Sequence, residues 1–155
     1  MARAALRAGR HAEAAGIVVA HHGETPADFA ALKVLAEALR PTDDARSREC
    51  WERALRAAPD DPEALFFVGD FCREAGEHAR AIELFERALV HAPDHPALLN
   101  NLGLAREKVR DLAAAERCYR RALEVSPDDV NAMANLAQNL YQQRRHKEAI
   151  PEFER

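Results

Sequence analysis

Three stretches decide how the chain reads: RALRAAPDDPEAL (residues 53–65), RALVHAPDHPALL (87–99) and RALEVSPDDVNAM (121–133). They align without a gap, and Pro59, Pro93 and Pro127 recur every 34 residues. Other positions keep the same step. Aromatics stand at Trp51, Phe85, Tyr119 and Phe153, and Ala54, Ala88 and Ala122 follow three residues behind the first three. Leu65, Leu99 and Met133 are in step, as are Val68, Leu102 and Leu136. Small residues recur at Gly69, Gly103 and Ala137 and again at Ala81, Ala115 and Ala149. A weaker copy precedes these, because GRHAEA (9–14) stands before Pro26 as GEHARA (76–81) stands before Pro93. Pro26 and Pro59 are only 33 apart, which places a one-residue deletion in RPTDDARS (40–47).

A fixed period of this length marks stacked supersecondary units, none of which can bury its apolar stripe alone. Each unit divides into two amphipathic helices; in one copy helix A covers about Pro62 to Ala75 and helix B about His78 to His91. Asp60, Asp61, Asp94, Asp128 and Asp129 stand where helix caps or first-turn acids are favoured. Pro62 and Pro96 suit a first helical turn, and Pro59, Pro93 and Pro127 end the preceding helix B. Glycine inside a helix costs ~1 kcal/mol against alanine, so Gly69 and Gly103 imply close approach of a partner helix. The turn between helices carries Gly76 in one copy but Arg110 and Arg144 in the next two. A left-handed backbone costs arginine more than glycine, so differently shaped turns are expected there. Arg106 takes an apolar position, with its stem expected inside and its head outward.

These marks resemble the tetratricopeptide repeat (TPR) family, and the resemblance covers the whole chain. It implies an all-α, right-handed superhelical solenoid of antiparallel helix pairs. About four units are expected, truncated at both ends: 1–28 partial, 29–61, 62–95, 96–129 and 130–155 partial, as a single array. The chain begins near the end of a helix A, at about Met1 to Arg7, and stops at PEFER inside a helix B. Either it is a piece of a longer chain, or its open apolar ends are covered by another copy, giving self-association through uncapped repeats.

Composition narrows the function. Of the 155 residues 48% are apolar and 31% charged, with a formal charge of −4, a globular balance with no basic stripe for nucleic acid. Apolar runs such as GIVVA and ALFFVG fall far short of the ~20 residues a membrane span needs, and the N-terminus lacks a secretory pattern. A cytoplasmic setting is the default expectation. Cys50, Cys72 and Cys118 fit no metal spacing and read as buried free thiols. His21 and His22 are adjacent, and Pro93 separates His91 from His95, so neither pair suits metal ligation from one helix face. No phosphate loop, nucleophile elbow or zinc motif is present. The expectation is a non-catalytic module with no cofactor or metal and with a protein or peptide partner.

In the TPR family helix A lines the concave side, where ligand peptides lie. The resemblance therefore implies peptide-binding positions at Lys33 and Glu37, at Phe67, Asp70 and Glu74, at Asn101, Leu104 and Lys108, and at Asn135, Gln138 and Gln142. The last three sets follow i, i+3, i+7, one helical face. The family's carboxylate-clamping variant does not match: Lys33 could serve as one lysine, but Glu37, Phe67, Ala97 and Asn101 hold the other sites. NNLG (100–103) and ANLA (134–137) are similar to repeats of O-linked N-acetylglucosamine transferases, whose asparagines form a ladder along an extended peptide. Here Asn101 and Asn135 match the ladder, while Phe67 and Val34 break it. Two readings of the amides stand side by side: a grip on a peptide backbone, or solvated and structural amides. Asp70 and Glu74 read as an acidic patch or an ordinary charged face, and Phe67 as core or exposed platform. The alternative function is the substrate-recognition segment of a larger modifying enzyme, a glycosyltransferase or sulfotransferase.

Overall fold

The computed structural model describes residues 1–23 and 26–149. Every regular element among them is helical: α1 Ala2–Arg7, α2 His11–His22, α3 Phe29–Leu39, α4 Asp44–Ala57, α5 Pro62–Glu74, α6 His78–His91, α7 Pro96–Lys108, α8 Leu112–Val125 and α9 Val130–Gln142. A further helical stretch covers 146–149. The expected aromatic at Phe153 lies outside the described residues. The chain forms two compact units, Met1–Val68 and Gly69–Arg155. In the first, α1 packs on α2, α2 on α3 and α3 on α4; in the second, α6 packs on α7, α7 on α8 and α8 on α9. Short turns between such neighbours make the pairs antiparallel.

Capping sets the helix starts. Asp28, Asp43, Asp61, Asp111 and Asp129 each accept a hydrogen bond from the backbone N–H three residues on. Asp94 does not share this role. The residue before Pro96 is His95, whose Nδ1 accepts from the Leu98 N–H at 3.2 Å. The capping position is the second of the acidic pairs Asp60–Asp61 and Asp128–Asp129, and in this copy histidine occupies it. Asp94 instead accepts from Arg121 at 3.3 Å.

The turns overturn the expectation that Arg110 and Arg144 require a different shape. Their φ angles are 66° and 61°, in the same left-handed region as Gly9 at 70° and Gly76 at 80°. The hydrogen bonds are also the same. Each left-handed residue donates to the carbonyl three back, and the next residue donates to the carbonyl five back, as in Glu77 to Cys72, Asp111 to Arg106 and Arg145 to Leu140. This double closure satisfies the last carbonyls of the helix, so the geometry persists where the sequence has arginine. The α3–α4 turn departs instead. Pro41 stops the helix, Thr42 and Asp43 both donate to the Leu39 carbonyl, and Arg40 stays right-handed. The caps Asp28 and Asp61 are 33 apart while the starts of α4 and α6 are 34 apart, so the missing residue falls in this turn.

Packing explains the helical glycines. A Cβ at Gly69 would lie 2.7 Å from the Phe85 ring, and one at Gly103 would lie 2.4 Å from the Tyr119 ring. The helix-B aromatic thus fills the space that a side chain would need. Phe85, Tyr119 and Trp51 are fully buried, as are Ala81 and Ala115. Tyr119 joins Ala115, Leu136, Leu140 and Ala149 in one core cluster, and Leu99, Ala122 and Ala132 form another. Ala5, Ala14 and Ala38 form a core cluster in the first unit. The head of Arg106 is bound by Glu86 and, at 3.1 Å, by Asp111, both exposed carboxylates. Burial opposes its charge, but these two carboxylates outweigh that and raise its pKa.

Two substitutions test this packing. Gly103→Ala is expected to cost about 1–3 kcal/mol by overpacking against Tyr119, despite alanine's better helix propensity, and to become neutral or favourable in a Tyr119→Ala background. Arg110→Gly removes a left-handed arginine and is expected to raise stability by about 0.5–1 kcal/mol. Urea denaturation of the variants measures both.

Candidate peptide-recognition clefts

In the first unit, helices α1 and α3 and the start of α5 surround a cleft of about 760 Å³. It brings together three of the expected residues, Lys33, Glu37 and Phe67. Phe67 serves both of the roles considered for it. Its ring stacks on Trp51 with centroids 4.3 Å apart, meets Phe66 edge-on at 5.2 Å, and still lines the cleft. The guanidinium of Arg40 sits 5.3 Å from the same ring, a cation–π contact.

Lys33 does not stand as an open cation. Its ammonium donates to Asp61 at 3.2 Å and is bound by Glu63. Burial works against its charge, but Glu63 and Asp61 prevail and raise its pKa. Glu37 behaves in the opposite sense. Burial, then a hydrogen bond and repulsion from Glu63, push its pKa up to about 7, with Lys33 and Arg3 acting the other way. Two carboxyls face each other, and one of them keeps its proton toward neutral pH.

In the second unit, α7 and α9 border a cleft of about 380 Å³. Leu104, Lys108, Asn135, Gln138 and Gln142 all line it, as the helical spacing implied. Sequence reasoning missed Glu107, which organises this cleft. It accepts from the Tyr119 hydroxyl at 2.7 Å and from Gln142 Nε2 at 2.5 Å. Burial and Glu107 together raise the Tyr119 pKa, so the phenol stays protonated and donating. The missing signal was its partner: a buried repeat aromatic that is a tyrosine needs an acceptor nearby.

Asn101, Asp70 and Glu74 line neither cleft. Asp70 is only 6% exposed, and Arg73 binds it at 2.6 Å, so the expected acidic patch reduces to exposed Glu74. Asn101 donates to Asp70 at 3.3 Å, and Asn135 donates to Asn100 at 2.8 Å. Asn100, which has no counterpart in the other copies, is therefore the acceptor for the next unit's amide. Deeper in this unit, Glu116 is a buried carboxylate held by Arg120, Arg145 and Gln143. Burial alone would raise its pKa, but Gln143 and the arginines lower it. Burial pushes the Cys50 and Cys118 thiols up, so neither is a thiolate nucleophile. Cys50 and Cys72 are buried as expected, while Cys118 is only half-buried. Among the described residues no group of three His, Cys, Asp or Glu side chains could hold a metal ion, and no helix is long and apolar enough to cross a membrane.

Helix pairs of this period, with helix-A side chains lining clefts, define a class of repeat protein built for recognition. The family model for the tetratricopeptide repeat matches residues 43–96 and 100–155. The chain belongs to that family, whose fold implies a protein–protein interaction module. No curated protein sequence matches. Solved structures of MamA share the fold. MamA 41-end from Desulfovibrio magneticus RS-1 superposes with a TM-score of 0.86 at 20% identity, covering 98% of this chain and 86% of that one. MamA AMB-1 gives 0.83 at 23% identity, covering 99% and 84%, and MamA MSR-1 gives 0.84 at 22%, covering 99% and 88%.

Glu37 makes stability pH-dependent. The folded chain holds this proton up to about pH 7, whereas the unfolded chain releases it near 4.5. The folded state therefore binds more protons in that window, and the contribution is full below about 4.5 and lost as pH rises through 7. Glu37→Gln is expected to flatten this decline and, at pH 8, to raise stability by on the order of 1 kcal/mol after allowance for solvent screening. Thermal melts of both proteins across pH 4 to 8 measure it.

Proposed function

We propose that this chain is a non-catalytic interaction module that takes up an extended or helical peptide segment against its helix-A faces. The observation that carries this reading is the second unit's cleft, where five side chains at helical spacing converge on one concavity. Its lining is mixed in a useful way. Leu104 offers an apolar contact, Gln138 and Gln142 offer amides, and Lys108 and Arg110 offer charge. Amides both donate and accept, so they suit peptide backbone groups whatever the partner's side chains.

The asparagine ladder takes a modified form in this reading. Asn135 and Asn101 each use one donor within the chain, which fixes their rotamers before any ligand arrives. A fixed amide loses less entropy on binding than a mobile one. The ladder is thus short, and Gln138 extends it from the same face of α9. A setting in the cytoplasm fits a module of this kind.

Selection of twelve-residue peptides from a random displayed library tests the reading. Asn101→Ala with Asn135→Ala should weaken the selected peptides by about 1–3 kcal/mol in sum, with helicity unchanged. Val90→Asp, on an exposed position of α6, should leave affinity unchanged. Selection of no binder, or binders sensitive to Val90 and indifferent to the groove, would overturn the reading.

A further inference from the structure

The first unit's cleft carries a charge arrangement that selects among peptides. This inference rests on the reading above and narrows it. Arg3 and Arg7 stand one turn apart on α1, so both heads lie on one face at the rim. Both are exposed, and among the described residues neither has a carboxylate within ion-pair distance. Like charges at this spacing repel each other and gain from an anion between them.

The cleft's own acids do not serve as that anion. Glu63 is bound to Lys33, whose second partner is the capping residue Asp61. Glu37 faces Glu63 and keeps its proton toward neutral pH. The titratable side chains that line the cleft with Glu37 are Lys33 and Arg40 from its own helix and its end, Arg3 and Arg7 from α1, His11 from α2 and Glu63 from α5, and of these Glu63, Lys33 and Arg3 act on it electrostatically. Positive charge exceeds negative on this lining. Beside the arginines, Leu6, Val34 and Phe67 supply an apolar wall. Phe67 is held in place by its stack on Trp51. A volume of about 760 Å³ admits side chains as well as backbone.

We propose that the cleft between α1, α3 and α5 is a docking site for an acidic peptide segment. One of its side-chain carboxylates lies between Arg3 and Arg7, and a neighbouring apolar side chain packs on Phe67. Side-chain carboxylates rather than a chain terminus are the recognised groups, because the two arginines line an open rim that a continuing chain can cross. Binding is stronger below neutral pH, where Glu37 is protonated and the excess of positive charge is greatest. Raising the salt concentration weakens it.

The test uses three acetylated, amidated hexapeptides, which carry no terminal charges: alternating Glu and Leu, alternating Gln and Leu, and alternating Lys and Leu. Binding is read by fluorescence anisotropy and by the emission of Trp51, the single tryptophan, which stacks beneath the cleft wall. The Glu peptide is expected to bind about tenfold more tightly than the Gln peptide, with the Lys peptide weaker still. Arg3→Glu with Arg7→Glu should reverse the order of the Glu and Lys peptides, and Arg7→Gln should give an intermediate loss with the circular dichroism spectrum unchanged. Equal affinity for the three peptides, or no binding by any, overturns this proposal. If library-selected peptides still bind the α7–α9 cleft in that case, the module reading stands and only the acidic preference fails. If they do not, both fail.

Discussion

The contact on which the repeat depends is an aromatic ring seated on a glycine. Phe85 lies over Gly69 and Tyr119 over Gly103, closer than any Cβ would permit. Glycine weakens each helix locally by about 1 kcal/mol, yet a buried aromatic contributes more than that through the area it removes from water. This exchange explains why the small residue and the large one recur together. It also fixes the rotation of each helix about its axis. Once the ring is seated on the glycine, the positions two and three residues before it along helix A, Phe66 and Phe67 in one copy and Asn100 and Asn101 in the next, turn away from that contact.

Helix-A faces are set by this constraint. In α7, Leu99, Leu102 and Gly103 are buried, while Asn100, Asn101 and Leu104 are half-buried. In α9, Leu136 and Ala137 are buried, and Gln138 is exposed. The clefts are therefore a by-product of core packing, and their chemistry can vary while the scaffold stays constant. The two described clefts show this freedom. One sets charged side chains and an arginine rim beside an apolar wall, and the other is rich in amides.

The period and the helix bounds were legible in the sequence because they follow from hydrophobic spacing and small-residue recurrence, while of the helix-A positions singled out Asn101, Asp70 and Glu74 line neither cleft. What was not legible depends on hydrogen-bond geometry. A residue-by-residue cost argues against left-handed arginine, yet Arg110 and Arg144 adopt that backbone because two helix-closing hydrogen bonds hold it there. Spacing placed Asp94 among the caps, but a cap is defined by one position, and His95 occupies it. Register and helical spacing put Asp70 with Glu74 on an exposed helix-A face, as an acidic patch or an ordinary charged face. The burial of Asp70 and its pairing with Arg73 follow from a position one residue after Gly69, close to the packed contact.

Polar groups near the core also change what the amides can do. Asn135 binds Asn100, Asn101 binds Asp70, and Gln142 binds Glu107. Each bond joins residues about one repeat apart, so each amide links successive helix-A segments within the second unit. The alternatives of structural amide and recognition amide are then not exclusive. An amide has two donors and an acceptor, and using one donor inside the chain leaves capacity on the same group. Holding that group still aligns what remains toward the cleft. The structural bond is what makes the remaining capacity directional, and a recognition surface built this way gains its order from the same repeat spacing that builds the fold.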